Sequence, residues 1–153
     1  IHTRIARFHN VYGPNGTFYG GREKAPAAIC RKIAMAKKFG HHEIEVWGDG
    51  LQTRSFLYVD ECVEAVLRLM ESDFIGPVNI GSEEMVTINQ LVDTAAKVAG
   101  KKVSKNNIDG PLGVRGRNSN NDLIRKELGW DYSQTLEEGI RKTYDWINQQ
   151  IGN

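Results

Sequence analysis

The chain lacks nearly every feature that would announce a function on its own. Neither sign of charge prevails: 20 Lys and Arg stand against 19 Asp and Glu, a formal net charge of +1. That balance argues against a protein that grips nucleic acid through a strongly basic face. No run approaches the ~20 consecutive apolar residues that span a bilayer, so neither nucleic acid nor membrane is an expected partner. Cysteine is scarce. Cys30 and Cys62 are too few and too isolated for a disulfide framework or a CxxC site. Both fall in predicted helices, which fits reduced core thiols in a cytoplasmic protein. There is no P-loop, GxSxG or HExxH, and the GxxGxxG spacing of Gly110, Gly113 and Gly116 falls in a loop and does not open a helix. No tyrosine has a lysine four positions on: Tyr12, Tyr19, Tyr58, Tyr132 and Tyr144 are followed there by Gly16, Glu23, Cys62, Leu136 and Asn148. The first residue is Ile1, not Met, with no basic-then-apolar leader behind it. That start reads as a processed chain or a piece of a longer one.

What is present is an ordinary globular composition, 153 residues with 40% hydrophobic and 25% charged, enough to bury a real core in one domain. The 16 glycines predict many turns and close backbone approaches. Ile1 to Val11 carries apolar residues on both alternate faces, the pattern of a strand buried on both sides of a parallel sheet. A helix follows from Pro26, with Ile29 and Ile33 on one face. Short strands are expected over Glu43–Trp47 and Thr53–Val59, joined through Gly48-Asp49-Gly50. Asp60 is placed to cap a helix whose Val63, Val66, Leu67 and Met70 follow helical spacing. Pro77–Ile80 reads as a strand, and Thr87 with Gln90 as the capping box of a helix stopping at Gly100. A strand over Val103–Ile108 precedes a loop over Asp109–Asn121, too rich in glycine and polar residues for regular structure. A short helix, Leu123–Leu128, ends at Gly129. Thr135 and Glu138 then open a last helix with Leu136, Ile140, Tyr144 and Ile147 on one side. Strands alternating with helices make the fold class α/β.

Three loops set cations beside glycines: Gly20-Gly21-Arg22-Glu23-Lys24, Gln52-Thr53-Arg54, and Val114-Arg115-Gly116-Arg117-Asn118-Ser119. Cations just before a helix, or at a strand start, make sense if they reach an anion. Each also has a plainer reading, a solvated loop with Glu23 as internal partner, or a surface ion pair. Three such loops in a nearly neutral chain suit a small doubly charged anion, such as a sugar nucleotide, better than a polyanion. His41-His42-Glu43 reads as a polar turn and not a metal site, because no third ligand is spaced to join it. Trp47, Trp130 and Trp146 read as core or boundary aromatics.

The segments RFHNVYGPNGT, GGREKAPAAICRK, WGDGLQTRSFLYVDECVEAVLRLM, PVNIGSEEMVTINQL and GPLGVRGRNSNNDLIRKELGW occur in that order. Together they resemble the C-terminal half of the extended short-chain dehydrogenase/reductase family, the NAD-dependent epimerases and dehydratases of nucleotide sugars. The resemblance covers essentially the whole chain. YGP, GDG-x-Q-x-R and an Arg loop before LGW are shared across that family. GGREKAPAA and GVRGRN are narrower and resemble its branch acting on GDP-mannose.

The resemblance implies the C-terminal part of a Rossmann-type epimerase. Two strands, near Ile5–His9 and Val78–Gly81, would belong to the family's main sheet, with a small α/β substrate-binding domain beside them. Residues 1–153 would form a single domain, the sugar-nucleotide-binding half. It further implies that Asn10, Glu23, Lys24, Ala25, Lys32, Gln52, Thr53, Arg54 and Arg117 line the substrate, with Arg54 and Arg117 on the diphosphate. The family oxidises sugar carbon 4 with bound NAD, epimerises carbons 3 and 5, and reduces the ketone again. Lys24 matches the lysine of its acid/base pair, a role that partial burial or the nearby charge of Arg22 would assist. The family's glycine-rich NAD loop, its Tyr-x-x-x-Lys pair and the cysteine partner of the lysine have no counterpart here. Neither Cys30 nor Cys62 substitutes for that cysteine. NAD is therefore the family's cofactor, and none is expected to bind this chain alone. The implied partners are a GDP-mannose-like sugar nucleotide and either further copies of the chain or a separate N-terminal half. Strands parted from that half would keep open edges and apolar faces. Two other readings stay open: a non-catalytic nucleotide-sugar-binding or interaction module, and a different NDP-sugar epimerase or dehydratase.

Overall fold

The computed structural model describes residues 2–111 and 113–152. Ile1, expected in the first strand, and Leu112, expected in the glycine-rich loop, lie outside the described residues. In chain order the elements are β1 (Ile5–Phe8), β2 (Val11–Tyr12), α1 (Ala25–Phe39), β3 (Glu43–Trp47), β4 (Thr53–Ser55), β5 (Leu57–Tyr58), α2 (Val59–Glu71), β6 (Pro77–Ile80), β7 (Met85–Thr87), α3 (Ile88–Ala99), β8 (Ser104–Ile108), β9 (Gly116–Arg117), α4 (Asp122–Leu128) and α5 (Leu136–Gly152).

The strand expected over residues 1–11 is broken in two. Asn10 takes a φ of 44°, a left-handed conformation that asparagine tolerates better than most residues. β1 therefore pairs in parallel with β6, while β2 turns away to pair in parallel with β5. The strand expected over Thr53–Val59 is likewise split, into β4 and β5. β3 and β4 enter different sheets: β3 pairs in parallel with β8, and β4 lies between β7 and β9.

Two apolar cores hold these small sheets. The larger joins α1, α3 and α5, where Ile29, Cys30, Ile33, Leu91, Val92, Ile140, Tyr144 and Ile147 are buried together with Ile44 and Val46 of β3. Each such side chain contributes about 1.5–3 kcal/mol when fully buried. The second sets Cys62, Ala65 and Leu69 of α2 and Ile124 of α4 against Val78 and Ile80 of β6, with Trp130. Both cysteines are buried and free. The Glu61 carboxylate of α2 accepts from Ser133 N, Ser133 Oγ and Gln134 N at 3.2, 2.9 and 3.0 Å. It thereby ties the chain entering α5 to the second core.

Both capping boxes form. Gln90 N donates to Thr87 Oγ1 at 3.0 Å and Thr87 N to Gln90 Oε1 at 2.8 Å. Thr135 N donates to Glu138 Oε2 at 2.8 Å and Glu138 N to Thr135 Oγ1 at 3.4 Å. Asp60 does not cap α2. The N-cap is Tyr58, and Asp60 sits in the first turn, where its charge still suits the helix dipole.

Two burial expectations fail for one reason. α2 buries Cys62, Ala65 and Leu69, whereas Val63, Leu67 and Met70 are 52%, 52% and 64% exposed. β1 is not covered on both sides either, since Ile5 is 50% and Phe8 58% exposed. Apolar patterning marks faces able to be buried. This chain supplies a covering partner for only some of them. Among the described residues, no helix is long and apolar enough to cross a membrane, and no group of three metal-ligating side chains forms.

Gly139 lets α5 close on the tyrosines beneath it. A Cβ there would lie 2.2 Å from Tyr12 Oη and 3.0 Å from Tyr58 Cδ2. Gly139→Ala is expected to lower stability by about 1–3 kcal/mol through overpacking, read as a lower urea midpoint. An unchanged midpoint would show that the two tyrosines are free to move.

Candidate functional site

The site is organised by a strand pair only two residues long. β9 runs parallel to β4 with Gly116 opposite Thr53 and Arg117 opposite Arg54. This corrects the expectation of an irregular loop over 109–121. Glycine permits the approach, because a Cβ on Gly116 would lie 3.0 Å from Thr53 Oγ1. The segment is fixed on both sides. Upstream, Thr53 N donates to Arg115 O at 2.9 Å, and Arg115 Nη1 meets Asp49 Oδ2 at 3.0 Å. Downstream, the fully buried Asn121 donates from Nδ2 to Gly81 O at 2.8 Å and accepts from Ser119 Oγ at 2.7 Å. Its N–H donates to Glu83 Oε1 at 2.8 Å.

The result sets two arginines side by side. Like charges directly opposite one another destabilise a strand pair, so a neutralising acid would be the usual accompaniment. Among the described residues, neither Arg54 nor Arg117 makes an ion pair, nor do Arg4, Arg7 and Arg22, whereas Arg31, Arg68, Arg115, Arg125 and Arg141 each hold a carboxylate. Arg54 Nη1 donates only to Thr53 O, at 2.7 Å. Arg115, the other cation of its loop, is engaged by Asp49. The Asp49 carboxyl is held below its ordinary value by the Leu51 amide first and by Arg115 as well.

Gln52, just before this pair, is 8% exposed. Its Nε2 donates to Trp47 O at 3.1 Å, but its Oε1 is buried without a partner. A buried acceptor left unpaired costs about 1–3 kcal/mol, which a ligand donor would recover. Trp47 is neither core nor boundary: it is 53% exposed. The Gly110 backbone packs against its ring, so close that a Cβ on Gly110 would lie 2.7 Å from Trp47 Cγ. The other tryptophans fit their expected places, Trp130 buried and Trp146 edge-on to Phe18. Asn10 joins the group through its Nδ2, which donates to Ser55 O at 3.0 Å.

A second group lies along the start of α1. Gly20 and Gly21 turn at φ 94° and 84°, and the Glu23 carboxylate accepts from Gly21 N at 2.7 Å and Arg31 Nη2 at 3.1 Å. Its own backbone amide does most to hold its pKa below the ordinary value, opposed by burial and helped further by the Gly21 amide and Arg31. Glu23 is thus the internal partner of its loop. Lys24 is the N-cap of α1, extended and exposed, and Ala25 is the first helical residue. Partial burial therefore does not reach Lys24 within this chain. Lys32, two turns on, donates from Nζ to Glu45 O at 2.8 Å. Burial pulls its pKa down, opposed by Glu45. A groove of about 280 Å³ runs beside it, lined by Arg31, Lys32, Met35, Phe39, His41 and Glu45. Drug-sized ligand pockets occupy about 300–1,000 Å³, so this groove is at most part of one.

The structure thus gathers Asn10, Gln52, Thr53, Arg54 and Arg117 in one cluster. Glu23, Lys24, Ala25 and Lys32 form another, and both are tied to β3, through Gln52 to Trp47 and through Lys32 to Glu45. Sequence reasoning passed over Trp47 and the clamping role of Gly116. The signal available for Trp47 was its place immediately before Gly48-Asp49-Gly50.

Parallel strand pairs, with arginines gathered where one of them meets a loop, place the chain among Rossmann-type α/β proteins. Residues 1–81 match the NAD dependent epimerase/dehydratase family, and the chain belongs to that family. It is similar to the GDP-mannose 3,5-epimerase of Arabidopsis thaliana, with 56% identity over 151 residues that make up 99% of this chain and 39% of the relative. The solved UDP-glucose 4-epimerase of Thermotoga maritima, in complex with UDP-glucose, superposes with a TM-score of 0.87 at 28% identity, covering 97% of this chain and 46% of that one. The UDP-glucuronic acid 4-epimerase of Bacillus cereus, solved with UDP-glucuronic acid and NAD, gives 0.79 at 27% identity over 98% and 46%. The chain spans less than half the length of each.

The family implies NAD, and the described residues do not fit it. A dinucleotide cradle needs a strand, a short glycine-rich turn and a helix N-terminus at the pyrophosphate. α2 and α3 follow their strands with no intervening residue. α4 follows β9 after four residues without glycine, and α1 lies twelve residues beyond β2.

The unneutralised pair has a measurable signature. Arg117→Gln is expected to stabilise the ligand-free chain at low salt by about 0.2–1 kcal/mol, with the gain shrinking as salt screens the repulsion. Chemical denaturation at two salt concentrations measures this. A loss of stability in both would mean that Arg117 has a structural partner.

Proposed function

We propose that this chain is the substrate-binding part of a nucleotide-sugar epimerase and takes a GDP-mannose-like sugar nucleotide. The carrying observation is the register that sets Arg54 against Arg117 with no acid between them. A diphosphate supplies the two negative charges this pair lacks, and guanidinium groups match phosphate oxygens in geometry as well as charge. Around it, Gln52 Oε1 offers an unused acceptor, Trp47 an exposed ring for a base, and Asn10 and Thr53 short polar groups. The identity to a GDP-mannose 3,5-epimerase along nearly the whole chain favours guanosine and mannose over other nucleotide sugars.

Lys24 is assigned as the acid/base group that moves a proton at a sugar carbon, with Glu23, Ala25 and Lys32 lining the sugar end. The Glu23 tie to Gly21 and Arg31 holds the loop that presents Lys24. NAD binding and hydride chemistry are assigned to a portion outside this chain. Residues 1–153 act as one domain that binds substrate, and turnover requires that other portion. The bare strand and helix faces around β1 and α2 are where it would pack.

Isothermal titration of the chain with GDP-mannose, GDP and NAD tests the reading. GDP-mannose and GDP are expected to bind and NAD is not. Absence of sugar-nucleotide binding, or turnover by the chain alone, would overturn it. For Lys24, with the remaining portion supplied, Lys24→Met is expected to abolish solvent-deuterium exchange at the epimerised carbons. Exchange persisting at every such carbon would remove Lys24 from the acid/base role.

A further inference from the structure

His9 stands at the carboxyl end of β1, one residue before Asn10, and none of the roles assigned above uses it. Its backbone N–H extends the β1–β6 ladder, donating to Ile80 O at 3.0 Å. The bare Gly81 backbone brings it against the arginine segment. A Cβ on Gly81 would lie 2.8 Å from His9 Cβ and 2.6 Å from Ser119 Cβ, so His9 and Ser119 close on that glycine together. Ser119 follows Arg117 by two residues. Asn79 of β6 donates from Nδ2 to Asn120 O at 3.4 Å. His9 is thus built into the wall that carries Arg117, at the carboxyl ends of the parallel strands where ligands of open α/β sheets bind.

The electrostatics there run one way without an anion. Burial first, and then Arg117, lower the tendency of His9 to take a proton, while the nearby Asn79 side chain opposes them. From the elements packed around it (β6 with Asn79 and Gly81, and the segment from β9 to α4 with Arg117, Ser119 and Asn120), Arg117 is the charged group whose field acts on the ring. A diphosphate bound at Arg117 would cancel that field and add a negative one.

We infer that His9 is a third binding group for the diphosphate, neutral in the free chain and protonated when the ligand is bound beside Arg117. The inference rests on the sugar-nucleotide reading above and adds to it a proton taken up on binding. The proton comes from solvent and returns there on release, and no covalent bond changes.

GDP-mannose is the right probe, because its diphosphate is esterified at both ends and has no ionisation near neutral pH to confuse the count. Titration of the chain in two buffers of different ionisation enthalpy, between pH 5.5 and 8, gives affinity and proton uptake together. Wild type is expected to take up a fraction of one proton, with affinity rising toward acid by up to about tenfold per pH unit, the limit for one linked proton. His9→Gln, which keeps a polar side chain near Asn79, is expected to bind with little pH dependence and no uptake. Imidazole resonances of wild type with and without GDP-mannose need no variant, and the His9 midpoint should move upward on binding. Binding with proton uptake undiminished in His9→Gln, or a His9 midpoint unmoved by ligand, overturns the inference and leaves the sugar-nucleotide reading intact. Failure of wild type to bind GDP-mannose overturns both.

Discussion

The register that sets Arg54 opposite Arg117, with no carboxylate on either, is the constraint around which the rest of the structure makes sense. A strand pair only two residues long gains little from its own hydrogen bonds, and placing like charges opposite one another weakens it further. The pair persists because both of its ends are held elsewhere. Gly116 lets β9 lie against Thr53, Arg115 is drawn to Asp49, and Asn121 is buried and bonded to Gly81. Two cations held together without an acid are what the proposed diphosphate site would use.

That organisation ties the two cores together. The arginine segment leaves β4, whose neighbours join the core of α1, α3 and α5, and reaches Asn121 and Ile124 in the core around β6. Asn10 makes a second bridge, ending β1 at a left-handed turn and bonding to the last residue of β4. Glu61 makes a third. A diphosphate held by Arg54 and Arg117, as proposed, would lie where the two cores meet. The faces of β1 and α2 left uncovered belong to a chain less than half the length of its relatives.

Much of this was legible in the sequence, and the limits were physical. The helices α1, α3, α4 and α5, both capping boxes, strand β6 and the free cysteines follow from local chemistry, which a single chain states fully. Glycine beside arginine in the three loops is likewise a local signal. Three things were not legible. Apolar spacing on α2 showed a face that could be buried, but Val63, Leu67 and Met70 have no cover within this chain, and periodicity cannot distinguish a covered stripe from a bare one. The break at Asn10 depends on a distant acceptor, Ser55 O. The ordering of 116–117 as a strand depends on an approach to Thr53 that glycine permits but does not dictate. The pairing of Arg54 with Arg117, as against Arg115, is a matter of register, and register is set by tertiary contacts.

The same reasoning explains which site residues came together. Gln52, Thr53 and Arg54 share one strand start, so their proximity was local and certain; Arg117 joined them through pairing. Lys24 and Lys32 lie on α1 and reach the cluster only through β3, which is why the chain shows them as a neighbouring group.

A double-mutant cycle on GDP-mannose binding, with Arg54→Ala, Arg117→Ala and both together, addresses the central claim most directly. Two arginines sharing one diphosphate should each weaken binding when removed and should be coupled, with a coupling energy of about 0.5–3 kcal/mol. Independent, additive losses, or binding unaffected by either change, would contradict the account.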